Sequence, residues 1–450
     1  MPTSAANTSA IAREQLIAWY RRNRERSAVL FELLRDDVYY SRPIALRHPI
    51  VFYEGHLPAF SFNTLVKRGL GRPSIDAGLE ALFARGIDPH EAETERTRDS
   101  QSGWPDRATV RQFAAEADRQ VLDALANAEL SRPGHPLLHD AEAVFCILEH
   151  EAMHQETLLY MWHRLPYDSK KRPGDYRPLT EGSEPAQAWL SIDEGNATLG
   201  VDPGHDGFTW DNERPGHRER VPAFKVQQHS VTNAQFAEFV NAGGYDDPRW
   251  WRQADWAWRR DEHVSHPLFW EKGDDGAWLW RGMFERVPLP PSWPVYVSQA
   301  EALAYAAWHG SRLMSEAEYQ RAAFGQPGAG ERRHPWGDAA PQPRFGVFDF
   351  TSWDPHPSGS HPDGASAWQV HDLVGNGWEW TATPFAPFDG FAPLPSYPEY
   401  SADFFDGEHF VMKGASPVTA AELLRPTFRN WFRARYPFVY AKFRCARDRQ

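Results

Sequence analysis

The sequence predicts an α+β multidomain protein, with an N-terminal four-helix bundle over 8–168, a linker over 169–185 and an irregular α+β domain over 186–450. Three observations predict it. Before residue 170, long stretches carry apolar residues at helical spacing. After 186, short apolar segments alternate with Gly, Pro, Asp and Trp. A chain of 450 residues is also long for a single domain.

The first helix is expected over 11–34, where Ile11, Leu16, Trp19, Tyr20, Val29, Leu30 and Leu33 recur at helical spacing. A second covers 50–66. Residues 70–106 read as a long polar connection with a short helix over 75–84. The third runs over 109–130, with Val110, Phe113, Val121, Leu122 and Leu125 inward, and the fourth over 136–165. Helices of this length form an antiparallel bundle, and bundle cores often hold metals. The linker is polar and carries Pro173 and Pro178. In the second domain, 197–200, 224–226 and 410–413 are short apolar segments. A helix over 233–241 follows Thr232 as its cap, another spans 298–308, and a third begins at Ser315, where Ser315-Glu316-Ala317-Glu318 resembles a capping box.

Composition narrows the function classes. Hydrophobic content of 41% and charged content of 24% indicate a globular chain. The net charge of -13 argues against a nucleic-acid partner. No apolar run approaches membrane-spanning length, so no membrane partner is expected. The N-terminus lacks a basic region followed by an apolar core, which gives a cytoplasmic expectation, with Cys146 and Cys445 as reduced thiols. The 20 Trp fit a loop-rich domain with aromatic clusters.

The chemistry concentrates in His150-Glu151-Ala152-Met153-His154-Gln155-Glu156. Residues four apart share a helix face at about 6 Å, so both imidazoles can reach one ion. The flanks Val144, Phe145, Ile147, Leu148, Leu158, Leu159, Tyr160 and Met161 make this a buried helix. Three readings stand at this point. With 19 His in the chain, about one such pair arises by chance, and packed core histidines would suffice. The string also matches H-E-x-x-H, in which two His bind zinc and Glu151 is the general base. The third reading is another metal site, with Glu156 placed to orient a ligand imidazole.

Motifs in the second domain carry a resemblance. Gly207-Phe208-Thr209-Trp210-Asp211-Asn212-Glu213-Arg214-Pro215, Val231-Thr232-Asn233, Phe239-Val240 with Gly243-Gly244-Tyr245, Asp372-Leu373-Val374-Gly375-Asn376-Gly377-Trp378-Glu379-Trp380 and Arg425-Pro426-Thr427-Phe428-Arg429-Asn430-Trp431 cover most of 190–448. Together they resemble the formylglycine-generating-enzyme (sulfatase-modifying factor) fold, a variant of the C-type-lectin fold. The 372–380 stretch is expected to serve fold more than chemistry. Formylglycine generation uses a cysteine pair, and this domain has Cys445 alone.

A helical, DinB-like bundle joined to this domain resembles the ergothioneine-pathway sulfoxide synthase family, non-heme iron enzymes whose bundle gives three His to one Fe(II). His150 and His154 match the pair, and His56 in Tyr53-Glu54-Gly55-His56-Leu57 matches the third ligand. Three neutral imidazoles leave open positions, as Fe(II) needs for a donor atom and O2. The resemblance implies carbon–chalcogen bond formation at the imidazole C2 of hercynine, a trimethylammonium betaine. It implies that Asn430 and Trp431 contact the betaine end, that Tyr397 donates a proton to a reduced oxygen species, and that Tyr400 contacts the imidazole. Departures concern the donor. Phe432 stands where members using γ-glutamylcysteine carry an acid, Met153 replaces a glutamine that reaches the substrate imidazole in some members, and Gly414-Ala415-Ser416-Pro417 replaces Gly-Gly-Ser-Trp. These favour the selenoneine synthase branch, which uses a selenosugar, over a γ-glutamylcysteine or cysteine thiol. Arginines between Arg96 and Arg111 are candidates for a substrate carboxylate. A zinc hydrolase, and a lectin-like binding module with a degenerate bundle, are the competing classes.

Overall fold

The computed structural model describes residues 13–84, 103–202, 205, 207–328 and 330–449. The chain divides into two compact units. The first comprises residues 1–173 together with 206–208 and 394–398, and the second holds the rest.

Helices α1 (Arg13–Glu32), α2 (Ile50–Ser61), α3 (Ala77–Leu82), α4 (Arg107–Asn127) and α5 (Glu142–Arg164) build the first unit. Packing of α1 on α4 and α5, and of α2 on α4 and α5, closes the bundle. Its core includes Leu16, Tyr20, Leu65, Val121, Leu125, Val144, Ile147 and Leu148. Asp76 caps α3 through Gly78 and Leu79 N–H, and Asp106 caps α4 through Thr109 N–H. The expected second helix continues past Ser61 as a π-helix over Phe62–Gly69, after Pro58 has removed one backbone donor inside α2. The predicted fourth helix starts late, because Asp140 and Ala141 take positive φ ahead of it. Ile11 and the 85–102 part of the polar connection lie outside the described residues.

One expected core position is corrected. Val29 is 60% exposed, whereas Asn23 and Ser27 of the same helix are buried. The α1–α5 seam is polar: Asn23 Nδ2 donates to the Leu148 carbonyl at 2.8 Å, Gln155 Nε2 to the Asn23 carbonyl at 2.8 Å, and Ser27 Oγ to Glu151 at 2.7 Å. Apolar periodicity cannot find a face that polar residues occupy.

In the second unit, a four-stranded sheet has the order β10 (Asn430–Arg433), β9 (His409–Ala415), β8 (Gly377–Pro384), β11 (Ala441–Lys442), with β11 parallel to β8. Smaller sheets pair β1 (Trp189–Ile192), β4 (Phe224–Gln227) and β12 (Ala446–Asp448); β2 (Gly195–Leu199) and β3 (His217–Val221); and β5 (Trp270–Lys272), β6 (Trp278–Arg281) and β7 (Arg286–Pro288). The three expected helices form over Asn233–Asn241, Gln299–Trp308 and Glu316–Ala323, each with a capping box, on Thr232, Ser298 and Ser315. A fourth, Gln253–Asp261, was not expected. No side chain caps its start, and its buried residue is Asp255, held by Arg435 at 2.9 Å, so it shows neither signal.

The quoted motifs hold this unit together. Glu379 on β8 is fully buried and accepts from Lys442 at 2.6 Å and Arg444 at 2.8 Å. Glu213 accepts from Arg425 Nη2 at 2.6 Å and Thr427 at 2.6 Å, linking two motifs far apart in sequence. At Gly377, φ is +126° and a Cβ would meet the Tyr296 ring at 2.8 Å. Six of the chain's 20 tryptophans, Trp210, Trp270, Trp280, Trp293, Trp378 and Trp380, are fully buried in this unit.

Candidate metal centre

Two helices of the first unit supply the three histidines. On α5, a rotation of about 100° per residue puts His150 and His154 on one face and turns Glu151 away. His56 comes from α2. All three are buried, and each offers a ring nitrogen within 4.8 Å of the others'. Ring centroids are 5.1 Å apart for His56–His150, 4.9 Å for His56–His154 and 4.4 Å for His150–His154. Among the described residues no other group of three metal-ligating side chains meets this closely.

The imidazoles have spare nitrogens. His56 Nδ1 lies 2.7 Å from the Phe83 carbonyl and so donates to it, which fixes the tautomer and leaves Nε2 as a lone pair. That Nε2, both nitrogens of His150 and Nδ1 of His154 are buried with no protein hydrogen-bond partner. Unsatisfied buried nitrogens are costly, and a cation held by the three imidazoles would satisfy one nitrogen of each ring. Burial pushes the His56 pKa down to about 4, with the Phe83 bond opposing and His48 adding. Burial and the other histidines push His150 well below its usual value; burial, His56 and Arg47 do the same to His154. All three are therefore neutral at pH 7, the form that binds a metal. The residues fit an ion site with three imidazole ligands.

Aromatic rings set the imidazole planes. Phe60 stacks on His150 at 3.5 Å and 11°, and Phe52 on His56 at 4.9 Å and 21°. Phe52, His56 and Phe60 are each four residues apart, a helical-face signal present in the sequence but missed there. Gly55 was missed as well: a Cβ there would lie 2.4 Å from the Phe83 ring, so glycine lets Phe83 bring its carbonyl to His56. His48 stands behind Phe52 at 4.2 Å. Met153 is half-buried on α5, about 60° round from His150.

Glu151 does not face the centre. It accepts from Ser27 at 2.7 Å and Arg24 at 2.9 Å on α1, so the general base of the zinc-hydrolase reading is committed elsewhere. No carboxylate bonds an imidazole nitrogen of His56 or His150; at His56 the orienting partner is a backbone carbonyl. Arg107 pairs with Glu54 and Asp36, and Arg111 with Glu54 and Glu32, so these two tie α4 to the rest of the bundle. Arg96 and Arg98 lie outside the described residues.

Residues 394–398, assigned from sequence to the second domain, cluster with the first unit. They bring the Tyr397 ring to 5.9 Å from His150 and 5.1 Å from Phe60. Within the second unit, Tyr400 stacks on Trp210 at 4.0 Å and meets Trp431 edge-on at 5.1 Å, and Phe385 stacks on Trp431 at 4.3 Å. Strand alternation turns Asn430 and Phe432 to the other face of β10 from Trp431. Phe432 stacks on Tyr436 at 5.2 Å. Cys445 is buried there as a free thiol, its pKa pushed up to about 12 by burial.

Family comparisons match this architecture. The DinB superfamily model matches residues 20–158, and the sulfatase-modifying factor enzyme 1-like domain matches 177–449. A hercynine oxygenase of Mycolicibacterium thermoresistibile is 37% identical over 76% of this chain and 75% of its own length. The chain belongs to the hercynine oxygenase family, within the ergothioneine-pathway group. Another member, the hercynine oxygenase of Mycobacterium tuberculosis, is 32% identical over 90% of this chain and 92% of that protein. Ergothioneine biosynthesis protein 1 of Neurospora crassa is 26% identical over 93% of this chain and 56% of that longer protein. No helix among the described residues is long and apolar enough to cross a membrane.

Proposed function

We propose that this chain is an Fe(II)- and O2-dependent enzyme that forms a carbon–chalcogen bond at the imidazole C2 of hercynine. The observation that carries the reading is the cluster of three neutral, buried imidazoles with partnerless nitrogens, in a member of the hercynine oxygenase family. Iron(II) held by His56, His150 and His154 would supply vacant positions for a donor atom and O2 together. The chain's own groups do the rest. The Tyr397 ring lies 5.9 Å from that of His150, and its phenol is assigned as the proton donor to a reduced oxygen species. Trp431 and Tyr400, in edge-on contact, are assigned to hercynine, since a quaternary ammonium donates no hydrogen bonds and is held by aromatic faces; the family resemblance adds Asn430, which strand alternation turns to the other face of β10. Met153 borders the histidine face and is assigned to the substrate side.

For the donor we favour a selenosugar, which makes the chain a selenoneine synthase. Phe432, stacked on Tyr436, offers no counter-charge to a peptide ammonium. The second reading is sulfoxide formation from γ-glutamylcysteine or cysteine, and the likeness to an ergothioneine biosynthesis protein favours sulfur as the chalcogen. The test is anaerobic loading with Fe(II) and hercynine, addition of each donor, an O2 pulse and mass analysis of products. Exclusive turnover of γ-glutamylcysteine removes the selenium reading. Absence of hercynine turnover with every donor removes the function.

A further inference from the structure

The Tyr397 ring reaches the histidines on a short turn whose attachment is specific. Tyr397 N–H donates to the Leu394 carbonyl at 3.0 Å, closing the turn. Glu142, the first residue of α5, accepts both from Ser396 N–H at 3.0 Å and from Ser396 Oγ–H at 2.8 Å. From the π-helical segment, Arg68 donates to the Ser396 and Pro395 carbonyls, each at 3.2 Å. Ser396 is fully buried, with Cys146 one turn along α5 against its hydroxyl. Four hydrogen bonds thus hold two consecutive residues immediately before Tyr397. Both anchors belong to elements near the centre: α5 carries His150 and His154, and Arg68 follows Phe60 on the continuation of α2.

We propose that Glu142, Ser396 and Arg68 form a latch that positions Tyr397 against His150. The latch acts through the turn and touches no substrate, so these are positioning residues. Its consequence for turnover rests on the role proposed for Tyr397. Its structural part, the docking of residues 394–398, does not. A carboxylate accepting two bonds from one residue fixes both the height and the rotation of the turn, which a single bond would not. An exposed loop tip carrying a catalytic tyrosine without such anchors would sample many placements of the ring.

The test uses the full chain with Ser396→Ala, Glu142→Ala and Glu142→Gln. Glutamine keeps an acceptor oxygen for Ser396 but removes the negative charge at the α5 N-terminus, so it separates the latch from simple helix-end electrostatics. Hydrogen exchange of the 394–398 peptide in metal-free protein is the first readout. Loss of a charge-assisted bond should speed it by about ten- to a hundredfold in Ser396→Ala and Glu142→Ala. Glu142→Gln should retain most of the protection. The second readout is turnover with whichever donor supports it, in wild-type and Tyr397→Phe backgrounds. The two Ala variants should lower kcat by at least about tenfold in the first background and have little further effect in the second, because the latch acts through that phenol.

Unchanged exchange in both Ala variants overturns the latch. Equal damage from Glu142→Ala and Glu142→Gln overturns it in favour of a charge effect at the helix end. Equal loss of turnover in both tyrosine backgrounds overturns its action through Tyr397. Should Tyr397→Phe turn over like wild type, the role proposed for the phenol fails, and the exchange experiment still decides whether the turn is latched. If Glu142→Ala does not fold, Ser396→Ala alone carries both readouts.

Discussion

Gly55→Ala is the sharpest perturbation of the metal centre that leaves every ligand in place. The added Cβ would lie 2.4 Å from Phe83 Cε2 and Cζ and 2.5 Å from Cε1. Ordinary carbon contacts are about 3.5–4.0 Å, so the ring must retreat by about 1 Å. Overpacking of this kind costs about 1–3 kcal/mol, against about 0.5–1 kcal/mol gained by replacing a helical glycine with alanine. The net expectation is a loss of up to about 2.5 kcal/mol, centred on about 1 kcal/mol, read by urea denaturation of the metal-free protein. Phe83 also carries the carbonyl that accepts from His56 Nδ1 at 2.7 Å. A retreat of that residue breaks the bond that fixes the His56 tautomer, and losses of this kind weaken metal binding about ten- to a hundredfold. Anaerobic competition with a chromophoric chelator measures the affinity for Fe(II), with Co(II) as a spectroscopic substitute. Gly55→Ala combined with Phe83→Leu should recover most of it, because leucine relieves the clash and keeps the carbonyl. A Gly55→Ala protein as stable as wild type, with unchanged affinity for both ions, would refute the reasoning.

Glu151→Gln should retain the metal and lose about 1–3 kcal/mol of stability through its Ser27 and Arg24 contacts, checked by metal analysis and denaturation; loss of the ion with stability intact would reverse this assignment. Burial favours the neutral form of Glu379, but Arg444 and Lys442 outweigh it and hold the pKa below the ordinary 4.5. Its contribution is therefore fully present above that value and lost as pH falls through the lower folded-state pKa. Glu379→Gln, which leaves two buried cations unpaired, should cost about 3–5 kcal/mol at neutral pH, and its disadvantage should shrink in acid, as Tm measured against pH will show. Trp431→Ala should raise KM for hercynine about tenfold with a much smaller effect on KM for the donor, since only the betaine carries a quaternary ammonium. Equal effects on both substrates would mean that the tryptophan supports the fold alone.

Much of this was legible in sequence because the signals were local. Capping boxes at Thr232, Ser298 and Ser315 each involve four consecutive residues, and each marks an observed helix start. The spacing of His150 and His154 is one helical turn. The rest depended on contacts that no local window contains. The tautomer of His56 is set by a carbonyl 27 residues away, and the Ser396–Glu142 bonds span 254 residues. The helix over Gln253–Asp261 lacks both a capping side chain and a buried apolar stripe, so neither start signals nor periodicity could find it.

The rotation of α5 about its axis explains why a buried polar seam sits where an apolar one would be simpler. Along this helix His150 and His154 face the metal centre, while Glu151 and Gln155, about 100° round, face α1. Glu151 is held by Ser27 and Arg24, and Gln155 by Asn23 and Ser27. An apolar seam would tolerate a turn of α5 by some tens of degrees, because dispersion contacts are non-directional and can be remade with neighbouring side chains. Hydrogen bonds to Asn23, Arg24 and Ser27 have no such freedom: rotation by one residue would strand a buried carboxylate and amide at a cost of about 1–3 kcal/mol for each unsatisfied group. The polar seam therefore fixes the direction in which both imidazoles point. Replacing Asn23, Ser27, Glu151 and Gln155 together with well-packed apolar residues need not destabilise the bundle. It should instead broaden the Co(II) spectrum of the loaded protein, because the ligands would no longer share one orientation. A spectrum as sharp as wild type from such a variant would show that Phe52, Phe60 and the Phe83 carbonyl orient the imidazoles without help from α1.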